Sequence, residues 1–175
     1  MWSDDARNTW WAELGRPIDL LVIGGGIVGA GIAREAAQRG FSVLLVEQAD
    51  FASGTSSRSS KFVHGGLRYL KNGAVHLTYQ SVRARDELLR HGPGLVTPIS
   101  FLMAHYQGTP PGLGLTKAVL SVYDMLGAQR THRRHSIEQV HALVPGLAQA
   151  GLTRSYSYVD AQTDDARLTL SLIHI

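Results

Sequence analysis

The sequence contains no cysteine and no long uninterrupted apolar run. Without cysteine there can be no disulfide, no thiolate metal site and no cysteine nucleophile. The most apolar stretch, residues 20–33, is interrupted by five glycines and is too short for the roughly 20 residues that span a bilayer. Asp4 and Asp5 lie where a secretory signal needs a basic start. We therefore expect a cytoplasmic protein without a transmembrane helix.

The composition indicates a globular chain. Its 175 residues are enough for one domain with a core, and 44% apolar with 18% charged residues is the usual balance of such domains. The net charge is +3, and basic residues cluster at 130–135. Such a cluster could meet phosphate groups on nucleic acid or lipid, but it is more often a solvated loop. We expect a solvated loop and no nucleic-acid partner. The histidines lack metal-ligand spacing, so no metal site is expected.

The chain opens with a strand, a helix and a second strand. Residues 19–23 are a short apolar run that ends in glycines, and residues 41–47 are a second β-rich run. Between them, small and apolar residues recur at helical spacing over 27–39, and Gly40 supplies a stop. Such a crossover predicts parallel pairing. The sequence therefore predicts an α/β fold that begins with a buried parallel strand.

A glycine-rich turn joins the first strand to the helix. Gly24, Gly26 and Gly29 fit the pattern GxGxxG, which permits a tight turn, close approach of backbone to a pyrophosphate, and close packing of helix on strand. Glu47 ends the second strand about 18 residues later, near the ~20-residue spacing of a ribose-binding acid. A carboxylate there disfavours NADP. The pattern predicts a dinucleotide site and leaves FAD and NAD both open.

The rest of the chain alternates helices, strands and loops. Residues 50–61 are rich in serine and glycine and are expected to form a functional loop. Helices are predicted over 76–90 and from Leu115 to Leu126, with an edge strand at 96–104 because of Pro98. A capping box starts a short helix at Ser136. Residues 156–159 form a predicted strand, and a new helix is predicted to start near 164–168.

The stretch from Asp50 to Leu70, DFASGTSSRSSKFVHGGLRYL, resembles the signature of FAD-dependent, quinone-linked glycerol-3-phosphate dehydrogenases. With the glycine turn before it and YVD…DDARL near 158–168 after it, the resemblance covers about residues 19–168. It implies a Rossmann-like FAD-binding domain of the glutathione-reductase and amino-acid-oxidase type, truncated, with the start of a substrate domain. We therefore divide the chain into an arm at 1–17, the FAD-binding portion at 18–169, and residues 170–175.

Hydroxyl, basic and glycine residues in this stretch suit a flavin nucleotide. Hydroxyls can donate to phosphate and ring oxygens, a lysine adds positive charge, and paired glycines leave room for a flat ring. The residues expected to bind the cofactor are Gly24, Gly26, Gly29, Glu47, Thr55, Ser56, Ser57, Lys61, His64, Gly65 and Gly66. The first four belong to the dinucleotide turn, and the others to the family signature.

The catalytic candidates are His64, Arg68 and Tyr69. By resemblance, Arg68 and Tyr69 face the substrate, and an arginine fork matches a phosphate monoester. His64 could hydrogen-bond the flavin or assist proton removal. Asp160, Asp164 and Asp165 also match the family, but a turn, a helix cap and first-turn carboxylates are the simpler interpretation.

The resemblance implies oxidation of sn-glycerol 3-phosphate to dihydroxyacetone phosphate, with electrons passed to quinone at the cytoplasmic face of the membrane. Three alternatives stay open: a glycerol-3-phosphate oxidase that uses oxygen, an amino-acid oxidase type, and a nucleotide-binding module without catalysis. Whether the protein forms homo-oligomers is left open.

The two ends of the chain fall outside the family signature. The stretch with Trp10 and Trp11 could form a packing arm or a peripheral contact with the membrane surface. The last six residues, LSLIHI, match a translated sequencing adapter, so we expect the gene to continue and this portion to be inactive alone.

Overall fold

The computed structural model describes residues 4–174, which form two compact units. The first unit runs through Ser60 and resumes at Asp164, and the second comprises Lys61–Thr163. Trp2 and Ile175, which belong to the predicted arm and adapter, lie outside the described residues. In chain order the elements are α1 (Asp4–Glu13), β1 (Leu20–Ile23), α2 (Ile27–Gln38), β2 (Val43–Val46), a 3₁₀ turn (Thr55–Ser57), β3 (Phe62–Val63), α3 (Leu67–Lys71), α4 (Val75–His91), β4 (Val96–Met103), α5 (Leu113–Leu126), β5 (Arg133–His135), α6 (Ile137–Leu143), β6 (Ser155–Thr163) and α7 (Asp165–His174).

The first unit contains the predicted strand–helix–strand crossover. β1 and β2 pair in parallel, with Leu20 opposite Val43 and Ile23 opposite Val46. α2 connects them, and α7 packs against it. The predicted α/β fold and the parallel pairing are therefore confirmed.

The predicted burial of β1 is wrong for this structure. Val22 is buried, but Leu21 is 49% exposed and Ile23 is 82% exposed. Leu21 and Ile23 alternate with Val22 along the strand, so the face that they share is largely uncovered within residues 4–174. The apolar run identified the strand correctly, but burial depends on what covers a strand and not on its own residues.

An antiparallel sheet forms the frame of the second unit. β6 pairs with β3 on one side and with β4 on the other. β5 also pairs directly with β6. β4 ends this order, and its Pro98 lies opposite Ala161. The predicted edge position of Pro98 is therefore confirmed. β6 is longer than the predicted strand at 156–159 and carries most of the pairing.

Helices α4 and α5 supply much of the core of the second unit. Val82 of α4, Leu120 and Tyr123 of α5 and Ala161 of β6 are at most 2% exposed. The apolar residues of both helices recur at the helical spacing that predicted them. Each helix therefore packs beside the sheet along part of its apolar face, while Leu77 of α4 and Leu115 and Val122 of α5 stay exposed.

Helix starts agree with the predictions from sequence. The Ser136 hydroxyl accepts a hydrogen bond from the Gln139 amide, and the Gln139 side chain returns one to the Ser136 amide, which confirms the capping box. The Asp164 carboxylate accepts a hydrogen bond from the Arg167 amide and caps α7. α7 continues through the described part of the predicted adapter segment.

The arginines of the basic cluster at 130–135 are exposed, as expected of a solvated segment, but the segment is not wholly a loop, because Arg133–His135 form β5. Asp124 accepts hydrogen bonds from the backbone amides of Thr131 and His132 and from the Thr131 hydroxyl. Its Oδ2 lies 2.6 Å from His132 Nδ1. The residues that follow pair with β6 as β5. A buried carboxylate at the end of α5 therefore holds the segment against the sheet.

Asp124 should make stability depend on pH in the acid range. Burial opposes ionisation, but hydrogen bonds from Thr131 and His132 outweigh it and lower the pKa of Asp124 below its ordinary 3.8. The stabilisation is therefore complete above that ordinary value and is lost as pH falls through the lower folded-state pKa. In Asp124→Asn we expect a loss of about 1 kcal/mol at pH 7 that shrinks below pH ~4. Denaturation by urea across pH, with exposed Glu87→Gln as control, measures this; an equal loss at all pH values contradicts it.

Candidate functional site

The glycine turn of the first unit has the geometry that its pattern predicts. Gly24 has a φ of +107°, which strongly favours glycine, and its amide donates to the Val46 carbonyl at 2.8 Å. Gly26 is the N-cap of α2, with extended backbone and no side-chain cap of its own. The turn therefore presents backbone, without side chains, at the start of the helix.

Gly29 is required by close packing. A Cβ at this position would clash with the Gly24 carbonyl oxygen and lie 3.4 Å from Val22 Cγ1. Helix α2 can approach the end of β1 this closely because residue 29 has no side chain. The predicted close contact of helix and strand is present.

The serine-rich loop meets the helix start through Ser56. Ser56 Oγ accepts a hydrogen bond from the Ile27 amide at 2.9 Å, and a Cβ at Gly26 would lie 3.0 Å from the same oxygen. The next two amides of α2, those of Val28 and Gly29, lie in the first turn, where a helix offers no internal acceptor. Free amides and the positive end of the helix dipole favour an anion here.

Thr55, Ser56 and Ser57 form one 3₁₀ turn within the segment predicted as a functional loop. The Ser57 amide donates to the Gly54 carbonyl and closes the turn. Thr55 is exposed, whereas Ser56 and Ser57 are half-buried. The loop therefore brings one predicted hydroxyl, that of Ser56, directly to the glycine turn.

Glu47 lies directly after β2, and its carboxylate is bound to the glycine turn. Oε2 accepts from the Gly25 amide at 2.7 Å, and Oε1 accepts from the Ala49 amide at 3.0 Å. The hydrogen bond from Gly25 is the main cause that lowers the pKa of Glu47. A carboxylate has about four acceptor sites, so two amides leave capacity for hydroxyl donors.

The second unit contains the His-Gly-Gly turn between β3 and α3. Gly65 and Gly66 are buried, and Gly66 has a φ of +74°. A Cβ at Gly65 would clash with Val82 and with the Tyr123 hydroxyl, and one at Gly66 would clash with the Tyr69 ring. Packing within the unit therefore requires both glycines, which is a different reason from the predicted room for a flat ring.

His64, Arg68 and Tyr69 lie around this turn. His64 is exposed, and its Nδ1 accepts a hydrogen bond from the Gly66 amide at 3.1 Å, so the neutral ring carries its proton on Nε2. Arg68 is exposed on α3, and Tyr69 is half-buried. Lys61 precedes β3 with a φ of +64°, and its carbonyl accepts from the Thr163 amide.

Asp160 is the residue that sequence reasoning misjudged. We interpreted it as part of a turn, but it lies within β6 and is 2% exposed. Its Oδ1 lies 2.6 Å from Arg85 Nη1, 2.7 Å from the Tyr123 hydroxyl and 3.2 Å from the Gly65 amide. The one signal in sequence was the place of Arg85 on the buried face of α4, three residues after Val82. A charge on that face requires a partner.

These contacts shift the ionisation of the groups around Asp160. Burial opposes the charge on Arg85, but hydrogen bonds and charge attraction from Asp160, Tyr123 and Asp86 outweigh it and raise its pKa. Burial and the adjacent Asp160 carboxylate raise the pKa of Tyr123 well above its ordinary value. Burial likewise raises the pKa of Tyr158 to about 12. The arginine is therefore charged and both tyrosines are neutral at physiological pH.

No helix within residues 4–174 is long and apolar enough to cross a membrane. This observation agrees with the interrupted apolar run in the sequence.

Comparisons with known proteins point in one direction. Residues 19–174 match the family model described as FAD dependent oxidoreductase. The aerobic glycerol-3-phosphate dehydrogenase of Staphylococcus saprophyticus is 44% identical over 158 residues, which are 89% of this chain and 28% of that protein. The chain thus spans about 28% of the length of the curated relatives it matches.

Solved structures give the same picture. The glycerol-3-phosphate dehydrogenase from Bacillus halodurans, complexed with FAD, superposes with a TM-score of 0.69 at 32% identity, covering 99% of this chain and 27% of that one. The L-alpha-glycerophosphate oxidase from Mycoplasma pneumoniae has a TM-score of 0.63 at 20% identity, covering 90% of this chain and 41% of that one. The second likeness is one of fold alone.

The close contact at Gly29 can be tested against a second glycine of the same helix. Gly29→Ala should lower the free energy of unfolding by about 1–3 kcal/mol, because the new methyl group meets the Gly24 carbonyl. Gly31→Ala is the matched control, since nothing lies within 4 Å of its Cβ position. It should raise stability by up to about 1 kcal/mol through helix propensity. Urea denaturation compares the two; equal effects would show that the turn does not require glycine.

Proposed function

The chain belongs to the family of FAD dependent oxidoreductases, and from that premise we propose that it contributes to the oxidation of sn-glycerol 3-phosphate to dihydroxyacetone phosphate. The observation that carries the choice of substrate is the 44% identity to an aerobic glycerol-3-phosphate dehydrogenase over most of the chain. The predicted FAD-dependent family is confirmed, and the residue assignments below are proposals.

The first unit is proposed to bind the nucleotide part of FAD. The Val28 and Gly29 amides at the start of α2 suit the diphosphate, because they lie at the positive end of the helix dipole and close to a turn without side chains. The ordered Ser56 hydroxyl beside them supports the same role. Glu47, held by two amides, suits the ribose hydroxyls. Gly24, Gly26, Thr55 and Ser57 complete this proposed set.

In the second unit, Lys61, His64, Gly65 and Gly66 remain the proposed contacts of the flavin ring. His64 Nδ1 is occupied by the Gly66 amide, so Nε2 is the donor of the neutral ring. That arrangement favours His64 as a hydrogen-bond donor over His64 as the base that removes a proton. Of the two roles that the sequence left open, this geometry therefore supports hydrogen bonding to the flavin better than proton removal.

Substrate recognition is proposed to rest on Arg68 and Tyr69. The exposed guanidinium of Arg68 can make two parallel charged hydrogen bonds to a phosphate monoester, which a lysine could not. Oxidation removes a hydride from C2 and a proton from its hydroxyl, and FAD, when bound, supplies the hydride acceptor. The task of the protein is to bind and orient the alcohol for that transfer.

Quinone is the proposed electron acceptor, with a peripheral position at the cytoplasmic face of the membrane. The exposed Trp11 on α1 is consistent with contact at a membrane surface. Oxygen, the acceptor in the oxidase alternative that the sequence leaves open, is the competing acceptor. Oxygen consumption against quinone reduction distinguishes the two.

The cofactor assignment predicts a yellow protein that keeps its colour in high salt. We expect the full-length gene product to bind FAD with the absorbance of a flavoprotein, and Glu47→Gln to weaken FAD binding about tenfold or more. The amide of glutamine cannot accept two backbone hydrogen bonds and receive a ribose hydroxyl as well. Exposed Glu35→Gln on α2 is the control. A colourless protein indifferent to added FAD would falsify the assignment and leave a module of another kind.

The substrate assignment predicts a selective effect of Arg68. Arg68→Ala should raise the KM for glycerol 3-phosphate about 10–100-fold while FAD stays bound, because charged hydrogen bonds of this kind contribute about 1.5–3 kcal/mol. Arg68→Lys should raise the KM by a smaller factor. Arg83→Ala, at an exposed position on α4, should leave the KM at the value of the unaltered protein. Steady-state kinetics with FAD absorbance measure both quantities; an unchanged KM in Arg68→Ala would exclude this residue from the substrate site.

A further inference from the structure

A buried network connects four parts of the second unit at one carboxylate oxygen. Asp160 of β6 accepts from Arg85 of α4, from Tyr123 of α5 and from the Gly65 amide of the His-Gly-Gly turn. We propose that Asp160, Arg85 and Tyr123 form a positioning network whose task is to hold the Gly65 amide, and with it the turn from His64 to Gly66. The consequence for catalysis rests on the proposed role of that turn beside the flavin.

The turn is held from both sides. Its Gly65 amide donates to Asp160, and its Gly66 carbonyl is 3.4 Å from the fully buried Thr78 hydroxyl, which also lies 3.2 Å from the Ala74 carbonyl. Tyr123 acts twice, because its hydroxyl both donates to Asp160 and fills the space where a Cβ of residue 65 would lie. The backbone path between β3 and α3 therefore has little freedom to shift.

Packing alone does not require a charged pair at this place. Arg85 and Asp160 are 5% and 2% exposed, and removing two ions from water costs several kcal/mol that an apolar pair of similar volume would not cost. What the pair supplies is an acceptor with a fixed direction, since Asp160 Oδ1 is oriented by two donors and then receives a third. In this proposal the role of the buried pair is to specify the geometry of the turn and not to add stability.

Asp86 provides an internal comparison. It accepts from Arg85 Nε and Nη2 at 3.0 and 2.8 Å, so it shares the guanidinium with Asp160, but it makes no hydrogen bond to the turn within the described residues. Loss of Asp86 should therefore remove one carboxylate partner of the Arg85 guanidinium and leave the Gly65 amide in place. Loss of the Asp160 acceptor should release that amide.

The test measures hydrogen exchange of the Gly65 amide by NMR in the full chain, without FAD. Asp160→Ala should speed its exchange at least about tenfold, since one buried hydrogen bond is lost. Asp160→Asn keeps an acceptor oxygen and should restore most of the protection, and Tyr123→Phe should give an intermediate rate. Asp86→Asn is the matched control and should leave the rate unchanged. Circular dichroism checks that each variant is folded.

A second measurement addresses catalysis in the FAD-loaded full-length protein. Asp160→Ala and Tyr123→Phe should lower kcat several-fold and change the KM for glycerol 3-phosphate less than twofold, because the turn is displaced while Arg68 stays available; Asp160→Asn, which keeps an acceptor for the Gly65 amide, should retain most of kcat. If Gly65 exchanges at the unaltered rate in folded Asp160→Ala and in folded Tyr123→Phe, the positioning network is refuted. If the protein binds no FAD but Gly65 responds as expected, the proposed function fails and the network stands.

Discussion

Backbone amides in irregular segments need hydrogen-bond acceptors, and in this protein carboxylates accept hydrogen bonds from the amides of three loops. Glu47 accepts a hydrogen bond from the Gly25 amide in the glycine turn, and Asp160 accepts one from the Gly65 amide in the His-Gly-Gly turn. Asp124 accepts hydrogen bonds from the amides just before β5. An unsatisfied buried amide costs about 1–3 kcal/mol, so each carboxylate makes one particular loop path the stable one. The candidate residues of each unit depend on such a loop, because the helix start of the first unit and the turn of the second are made of backbone and not of side chains.

Glycine serves two different ends in these loops. At Gly24 and Gly29 it allows a backbone conformation and a close contact that any nucleotide-binding turn of this type needs. At Gly65 its absent side chain makes room for the hydroxyl of Tyr123, which comes from α5 more than 50 residues later. The first use is visible in a pattern of neighbouring residues, and the second is visible only after the chain has folded.

The same distinction separates what the sequence predicted from what it did not. The crossover of β1, α2 and β2, the edge position of Pro98 and the capping box at Ser136 all depend on a few neighbouring residues, and all are confirmed. The burial of β1 and the place of Asp160 depend on partners far along the chain. Arg85 and Asp160 are 75 residues apart, and the strand predicted at 156–159 ended one residue before Asp160, so its pairing with Arg85 was not visible in the local sequence. The spacing of apolar residues therefore predicted where helices and strands lie. Contacts between distant elements determine the role of a residue such as Asp160.

Two arginines of the second unit show why position decides function more than residue type. Arg85 is buried, its fork is shared between Asp86 and Asp160, and its charge is already neutralised. Arg68 lies on α3 directly after the turn, with its guanidinium exposed. A phosphate dianion would have to displace a buried carboxylate to bind Arg85, whereas it would replace only water at Arg68. The buried arginine is therefore suited to hold the backbone of the turn and the exposed one to meet a ligand, so a single short segment can be both rigid and open to a charged substrate.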